Sequence, residues 1–203
     1  MSTPVDVIDY GMGNLRSICN ALASQGADVR LVAAPAELRG CHTVLPGVGA
    51  FGESMRNLRA AGFDDVIRGH VGAQRPFLGI CLGFQVLFER GTELGDHVGL
   101  GLFKGTVSRF QTSLHVPHTG WNELVPARVH PVLAPLGSGG HVYFVHSFRP
   151  TDTSPDEVLA TSDYDGPFTA AVASGSAVGF QCHPEKSGQL GLALLHAWMN
   201  WRP

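Results

Sequence analysis

Two short stretches of this chain hold residue types that do covalent chemistry when they meet. The first is Gly79-Ile80-Cys81-Leu82-Gly83, a nucleophile set symmetrically between two glycines. The glycines let a sharp strand-to-helix turn close without a β-carbon clash, and such a turn thrusts the Cys81 side chain out at the carboxyl end of the strand. A helix N-terminus beside the sulfur favours thiolate over thiol. The plainer reading of the same residues is a buried, inert cysteine between two packing glycines. The second stretch is Gly179-Phe180-Gln181-Cys182-His183-Pro184-Glu185-Lys186. Pro184 pushes His183 towards an extended backbone, and extended spacing puts His183 and Glu185 on the same side. A carboxylate there orients the imidazole and stabilises its protonated form. His183 then takes the thiol proton and returns it to a leaving amine. These are the roles of a nucleophile–histidine–acid triad, in the chain order Cys81, His183, Glu185. Alone, the His-Pro-Glu tripeptide also reads as a surface histidine beside a glutamate; the elbow and the Gly47 loop described below argue for the triad.

The elements that must position these groups follow from apolar patterning. Phe77 to Ile80 has the length and composition of a buried strand leading into Cys81, and Phe84, Val86, Leu87 and Phe88 form a helix-compatible run after it. Val5 to Asp9 reads as a first strand. The following Gly11 and Gly13 do not make a dinucleotide-binding loop, because Arg16 stands where the third glycine is needed. Asn14 fits a helix cap, and Leu15, Ile18, Cys19 and Leu22 share one helical face. Val29 to Val32 completes a βαβ unit with a parallel pair. Thr43 to Leu45 is a third strand. It runs into Pro46-Gly47-Val48-Gly49, a loop whose peptides are free to rotate and to turn N–H groups toward a ligand, or else an ordinary strand-to-helix turn. Helices follow over Phe51, Met55 and Leu58 and over Phe63 to Val71.

After Glu93 the texture changes. Val98 to Phe110 suits antiparallel hairpins, Pro117 to Glu123 reads as a polar, aromatic loop, and His141 to Phe148 reads as a strand. Val158 to Tyr164, Thr169 to Ala173 and Ala177 to Cys182 are three more strands, separated by Asp165-Gly166 and Ser174-Gly175 turns. Gln189 to Trp201 closes the chain as a helix with Gly191, Leu194, Leu195 and Trp198 along one face. The expectation is a single α/β domain over residues 1–203, with a parallel sheet wrapped by helices and an antiparallel second half.

Composition narrows the function classes. The chain has 203 residues, 44% hydrophobic and 15% charged, with a net charge of -3; nothing in that balance calls for nucleic acid or an anionic membrane surface. The N-terminus MSTPVDVIDYG lacks a basic leader, and no apolar run reaches transmembrane length. The four cysteines, Cys19, Cys41, Cys81 and Cys182, form no CxxC pair, so neither a zinc site nor a disulfide framework is expected, and a reduced cytoplasmic setting is.

GICLGFQ and HPEKS resemble the two signatures of the class I (triad) glutamine amidotransferases. VIDYGMGNLRS, LPGVGAFGESM, PHTGWNEL and YFVHSF narrow the resemblance to the glutaminase subunits of imidazole glycerol phosphate synthase in histidine biosynthesis. These motifs run from residue 7 to 187, and PGVGAFGE is the most discriminating. Thr119 departs from the family, which usually has Met there. The resemblance implies a flavodoxin-like fold with a central, mostly parallel sheet. It implies that Cys81 attacks the side-chain amide of glutamine, ammonia leaves, and water hydrolyses the thioester to glutamate. It places oxyanion donors at the Leu82 N–H and in the Val48-Gly49 loop. Gln85, Glu93, His146, Ser147 and Phe148 match glutamine-holding positions. Read as residues alone, Gln85 also fits a helix surface and Glu93 a solvated loop charge. Asn14, Trp121, Asn122, Tyr143 and Lys186 match positions that dock a separate (β/α)₈-barrel cyclase subunit in a heterodimer; Trp121 also fits a core aromatic. No metal and no organic cofactor are implied. The neighbouring readings are a triad glutaminase serving a different synthase, a γ-glutamyl hydrolase, and a regulatory module that has lost the chemistry.

Overall fold

The computed structural model describes residues 2–203. The chain alternates strands and helices through its first half: β1 (Thr3–Ile8), α1 (Leu15–Ser24), β2 (Ala27–Val32), β3 (His42–Gly47), α2 (Phe51–Ala60), α3 (Phe63–Gly72) and β4 (Phe77–Cys81), followed by a single helical turn, α4 (Leu82–Gln85). Strands dominate from there: β5 (Phe88–Gly91), β6 (His97–Val98), β7 (Phe103–Arg109), β8 (His118–Pro126), β9 (Gly140–His146), β10 (Phe148–Thr151), β11 (Val158–Asp163), β12 (Pro167–Ser174) and β13 (Ala177–Phe180). The last helix is α5 (Gly188–Asn200).

Among the described residues, nine strands form one sheet in the order β2-β1-β3-β4-β13-β12-β11-β8-β9. β2, β1, β3, β4 and β13 run parallel. From β13 onward the pairs are antiparallel. The βαβ crossovers place α1 and α5 on one face, where Ile18, Leu22, Leu194 and Trp198 pack with Leu78 and Ile80. α2 and α3 cover the other face with Met55, Leu58, Phe63 and Ile67 against Phe77. β3, β4 and β13 are buried along their whole length, as expected of parallel strands covered on both sides.

Their register sets up the site. Gly47 pairs with Cys81, and Ile80 with Phe180. The carboxyl ends of three adjacent strands therefore deliver the Gly47 loop, the Cys81 elbow and the His183 segment side by side. In open α/β sheets this edge is where ligands bind.

Three sequence expectations fail in detail. The helix after Cys81 stops after one turn, because Phe88 leaves to pair with Phe103 in a second, four-stranded sheet of order β10-β7-β5-β6. Pro117 to Glu123 is not a loop: His118 opens β8, whose ladder with β9 runs from His118–His146 to Leu124–Gly140. Val98 to Phe110 is not a simple hairpin, since β7 pairs parallel with β5 and antiparallel with β10.

Candidate active site

The elbow is shaped by steric exclusion. Cys81 adopts φ +54° and ψ −111°, a backbone state that non-glycine residues rarely take and that clusters at functional sites. The glycines two residues to either side have no room for side chains. A β-carbon on Gly79 would lie 2.7 Å from the Gly83 carbonyl oxygen and 2.8 Å from Leu87 Cδ1, and one on Gly83 would overlap the Leu45 carbonyl. The two glycines of the motif are thus required by close approach rather than by positive φ.

Cys81 lines a cavity of about 330 Å³. The same cavity is lined by Val48, Gly49, Leu82, Gln85, Glu93, His146, Ser147, Phe148 and His183. Every residue singled out from the sequence for oxyanion or substrate contact therefore reaches one space. Pro117 and Val145 line it too; no chemical feature of the sequence pointed to them. The Cys81 thiol donates a weak hydrogen bond to the Val145 carbonyl at 4.0 Å.

His183 Nδ1 lies 2.8 Å from Glu185 Oε1, and both side chains are 4% exposed. The pairing is not made by extended spacing, as the sequence suggested. Only His183 is extended, and Pro184–Lys186 is a 3-10 turn that brings Glu185 back to the ring's Nδ1. The segment is pinned to β9. His183 N–H donates to the Tyr143 carbonyl at 2.9 Å, and the Ser187 hydroxyl donates to the His183 carbonyl at 2.6 Å while accepting from Tyr143 N–H at 2.9 Å. Ser187 is a support that residue type alone did not reveal. Burial alone would push the imidazole down; the adjacent Cys81 side chain and the Glu185 carboxylate overcome it and raise His183. Its Nε2 is buried and without a hydrogen-bond partner, so the nitrogen that faces no structural duty is the one available to chemistry.

The surroundings constrain the other residues. The Gln85 amide donates to the Phe148 carbonyl and to Gln181 Oε1, both at 3.0 Å, so it is a buried clamp and not a helix-surface residue. Glu93 Oε2 accepts from Phe51 N–H at 2.8 Å, capping α2, whose own cap residue Ala50 has no side-chain acceptor. Gly49 has φ +110°, and a β-carbon there would lie 2.6 Å from Met12 Cε. Burial pushes the Tyr10 hydroxyl up to about 12; it lies beneath Gly47, where a β-carbon would be 2.6 Å away.

Trp121, Tyr143 and Lys186 form an outer cluster. Lys186 Nζ sits 5.9 Å from the centre of the Tyr143 ring, and Trp121 meets that ring edge-on at 6.4 Å. Trp121 is 56% exposed, which rules out the core reading. Asn14 is exposed, caps α1 through Ser17 N–H at 3.3 Å, and borders a small crevice with His183 and Glu185. Asn122 is turned inward, donating to the Asp163 carbonyl at 2.7 Å and to His118 at 3.2 Å. Among the described residues no group of His, Cys, Asp and Glu side chains gathers as a metal site, and no helix is long and apolar enough to cross a membrane.

Comparison with known proteins agrees with this geometry. The family model "Glutamine amidotransferase class-I" matches residues 6–197. The chain is 45% identical over 196 residues to the imidazole glycerol phosphate synthase subunit HisH of Aquifex aeolicus, covering 93% of this chain and 92% of that protein. It is 43% identical over 193 residues to the subunit of the same name from Symbiobacterium thermophilum, covering 95% and 91%. Among solved structures, PurLQS from Thermotoga maritima superposes with a TM-score of 0.80 at 20% identity over 98% of this chain and 99% of that one. A putative GMP synthase subunit from Thermoplasma acidophilum gives 0.73 at 20% identity, over 98% and 93%. At such low identity these two structures speak for the fold alone. With the family model spanning most of its length and full-length relatives above 40% identity, the chain belongs to the class I glutamine amidotransferases, in the group of imidazole glycerol phosphate synthase HisH subunits.

Proposed function

We propose that this chain is the glutaminase subunit of imidazole glycerol phosphate synthase, working as one domain over residues 1–203 in the cytoplasm. It hydrolyses L-glutamine to L-glutamate and passes the ammonia to a (β/α)₈-barrel cyclase subunit, which makes imidazole glycerol phosphate and the aminoimidazole carboxamide ribotide in histidine biosynthesis. The observation that carries the reading is the joining of Cys81, at its strained elbow, and His183, braced by Glu185, in a single cavity large enough for one amino acid.

Each residue then has a step. The Cys81 thiolate attacks the side-chain carbonyl carbon of glutamine, and the negative charge that develops on oxygen is met by N–H groups of Leu82 and of the Val48-Gly49 loop. The carbon–nitrogen bond breaks as His183 gives its proton to the departing ammonia. A raised imidazole keeps that proton in place until then. Water attacks the thioester, His183 takes its proton, and the carbon–sulfur bond breaks to release glutamate. Gln85 braces the Phe148 carbonyl, and Glu93 faces the substrate end of the cavity. Trp121, Tyr143 and Lys186 present the docking face.

The test is co-purification with a histidine-pathway cyclase, then assay of glutamine hydrolysis with and without the cyclase's ligand. Hydrolysis should rise on assembly and again with the ligand. Cys81→Ala should abolish it and leave ammonia-driven synthesis intact. A chain that neither binds the cyclase nor hydrolyses glutamine in its presence would overturn the proposal.

A further inference from the structure

One wall of the cavity is the crossing from β9 to β10, where His146, Ser147 and Phe148 leave the large sheet and enter the small one. Behind that wall runs a chain of hydrogen bonds, buried at its His118–His146 centre, that none of the proposed chemical steps uses. His146 Nδ1 lies 2.8 Å from the Phe148 carbonyl oxygen. A carbonyl only accepts, so Nδ1 carries the proton and Nε2 is the acceptor. That Nε2 lies 3.1 Å from His118 Nδ1, which must therefore donate. His118 Nε2 is left as an acceptor, and the Asn122 amide supplies the N–H at 3.2 Å. The amide's orientation is fixed in turn: its oxygen accepts from the Glu123 N–H at 2.8 Å, and its nitrogen also donates to the Asp163 carbonyl at 2.7 Å. A donor amide at one end and an acceptor carbonyl at the other admit a single arrangement of protons.

The surroundings agree. Burial pushes His118 down to about 4 and His146 down to about 3, so both rings are neutral at pH 7. The His118 ring lies between Tyr164, stacked at 4.1 Å, and Phe144, stacked at 5.1 Å, with Phe110 and Phe168 edge-on to it. A phenyl ring would satisfy that cage without burying polar nitrogens. What an imidazole adds is the donor to His146. Without it, His146 Nε2 becomes an unpaired acceptor in an aromatic cage, and the ring gains by turning or changing tautomer, which releases the Phe148 carbonyl. The other partner of that carbonyl is the Gln85 amide in the cavity wall, at 3.0 Å.

We propose that His118 is a positioning residue for glutamine: its Nδ1–H, relayed by His146, holds the Phe148 carbonyl and with it the His146–Phe148 wall that the substrate meets. The proposal rests on the glutaminase reading above. It assigns a task to the His of the PHTGWNEL motif, in which Trp121 points outward while Asn122 turns inward to His118.

The experiment compares His118→Phe, His118→Gln and His118→Asn in the assembled complex. KM and kcat for glutamine, the ammonia-driven rate and the thermal midpoint are measured for each. An asparagine places its amide N–H where Nδ1 sits, glutamine places its amide farther out where Nε2 sits, and phenylalanine keeps only the ring stacking. KM should rise on the order of tenfold in the Phe and Gln variants, the factor expected when one buried acceptor loses its donor. In the Asn variant it should stay within about threefold of wild type, with the ammonia-driven rate unchanged throughout. A wild-type KM in His118→Phe overturns the proposal, as does equal impairment of the Asn and Gln variants, which would make the ring's packing its only role. If the Phe variant does not assemble, the ordering of Asn against Gln decides alone. The wild-type complex separates the two levels: if it fails to hydrolyse glutamine, the glutaminase reading falls, whereas if it is active and the variants match it, only the role of His118 falls.

Discussion

The backbone of Gly83 lies directly against the carbonyl oxygen of Leu45, with no room for a β-carbon between them. This contact wedges α4 onto β3 and fixes how far the Cys81 elbow projects. Gly83→Ala must push the two backbones apart. It should cost about 1–3 kcal/mol of stability, the usual range for overpacking, read as a lower midpoint in urea. Glutamine hydrolysis should fall further than the stability loss explains. An alanine variant with wild-type stability and activity would show that the contact is not structural.

The glycine pattern of the elbow was legible because it reports a local requirement, visible in five consecutive residues. The length of α4 was not. Phe88 suits an apolar helix face as well as a strand, and only its pairing with Phe103 decides. β8 was hidden for a similar reason: Pro117, Gly120 and Asn122 look like loop residues, and the ladder to β9 that makes them a strand is long-range. In the site, Cys81, His183 and Glu185 are residue types with recognisable chemistry, so the sequence singled them out, and the fold brings Cys81 and His183 to one cavity with Glu185 against His183. Val145, Ser187 and His118 act through a carbonyl, a hydroxyl bridge and a second imidazole, and nothing in their types marks such duties before the fold brings them together.

The Glu185 carboxylate should tie stability to alkaline pH. Burial opposes protonation of His183, but Cys81 and Glu185 outweigh it and raise the ring from 6.5 to about 10. A folded-state value above the unfolded one gives stability that is complete below about pH 6.5 and is lost as pH rises toward about 10. Glu185→Gln should flatten the fall of the thermal midpoint over that window. It should lower hydrolysis less than His183→Ala does, since an orienting acid contributes less than the base it orients. An unchanged pH profile in Glu185→Gln would break the assigned role.

Trp121 is half in solvent, meets the Tyr143 ring edge-on and lies near the backbone of Gly188. Trp121→Ala should leave the thermal midpoint of the free chain within about 1 °C while weakening cyclase binding about tenfold or more, as loss of an exposed aromatic anchor does. Calorimetric titration against the cyclase measures this. A variant that binds normally would place the docking face elsewhere.

The Val48-Gly49 peptide is a candidate control point. Gly49 holds φ +110° with Met12 packed over it, a conformation closed to most residues. We propose that this peptide turns its N–H toward the oxyanion when the ligand-bound cyclase favours that state. Gly49→Pro removes the N–H. The variant should still bind the cyclase yet lose about 100- to 1000-fold of the ligand-stimulated rate, the cost of one oxyanion donor. Full stimulation in Gly49→Pro would exclude the loop as the switch.

In the proposed function Cys81 is the one thiol built to attack glutamine. The most direct measurement is alkylation of the complex by a glutamine-mimicking electrophile, with the modified residue located by mass spectrometry. Cys182 is fully buried and pushed up by that burial, and Cys19 and Cys41 are raised by partial burial. A single adduct on Cys81 is expected, formed faster when the cyclase ligand is present and blocked by excess glutamine. An adduct on Cys19, Cys41 or Cys182, or no adduct on Cys81 in an assembled complex, would contradict it.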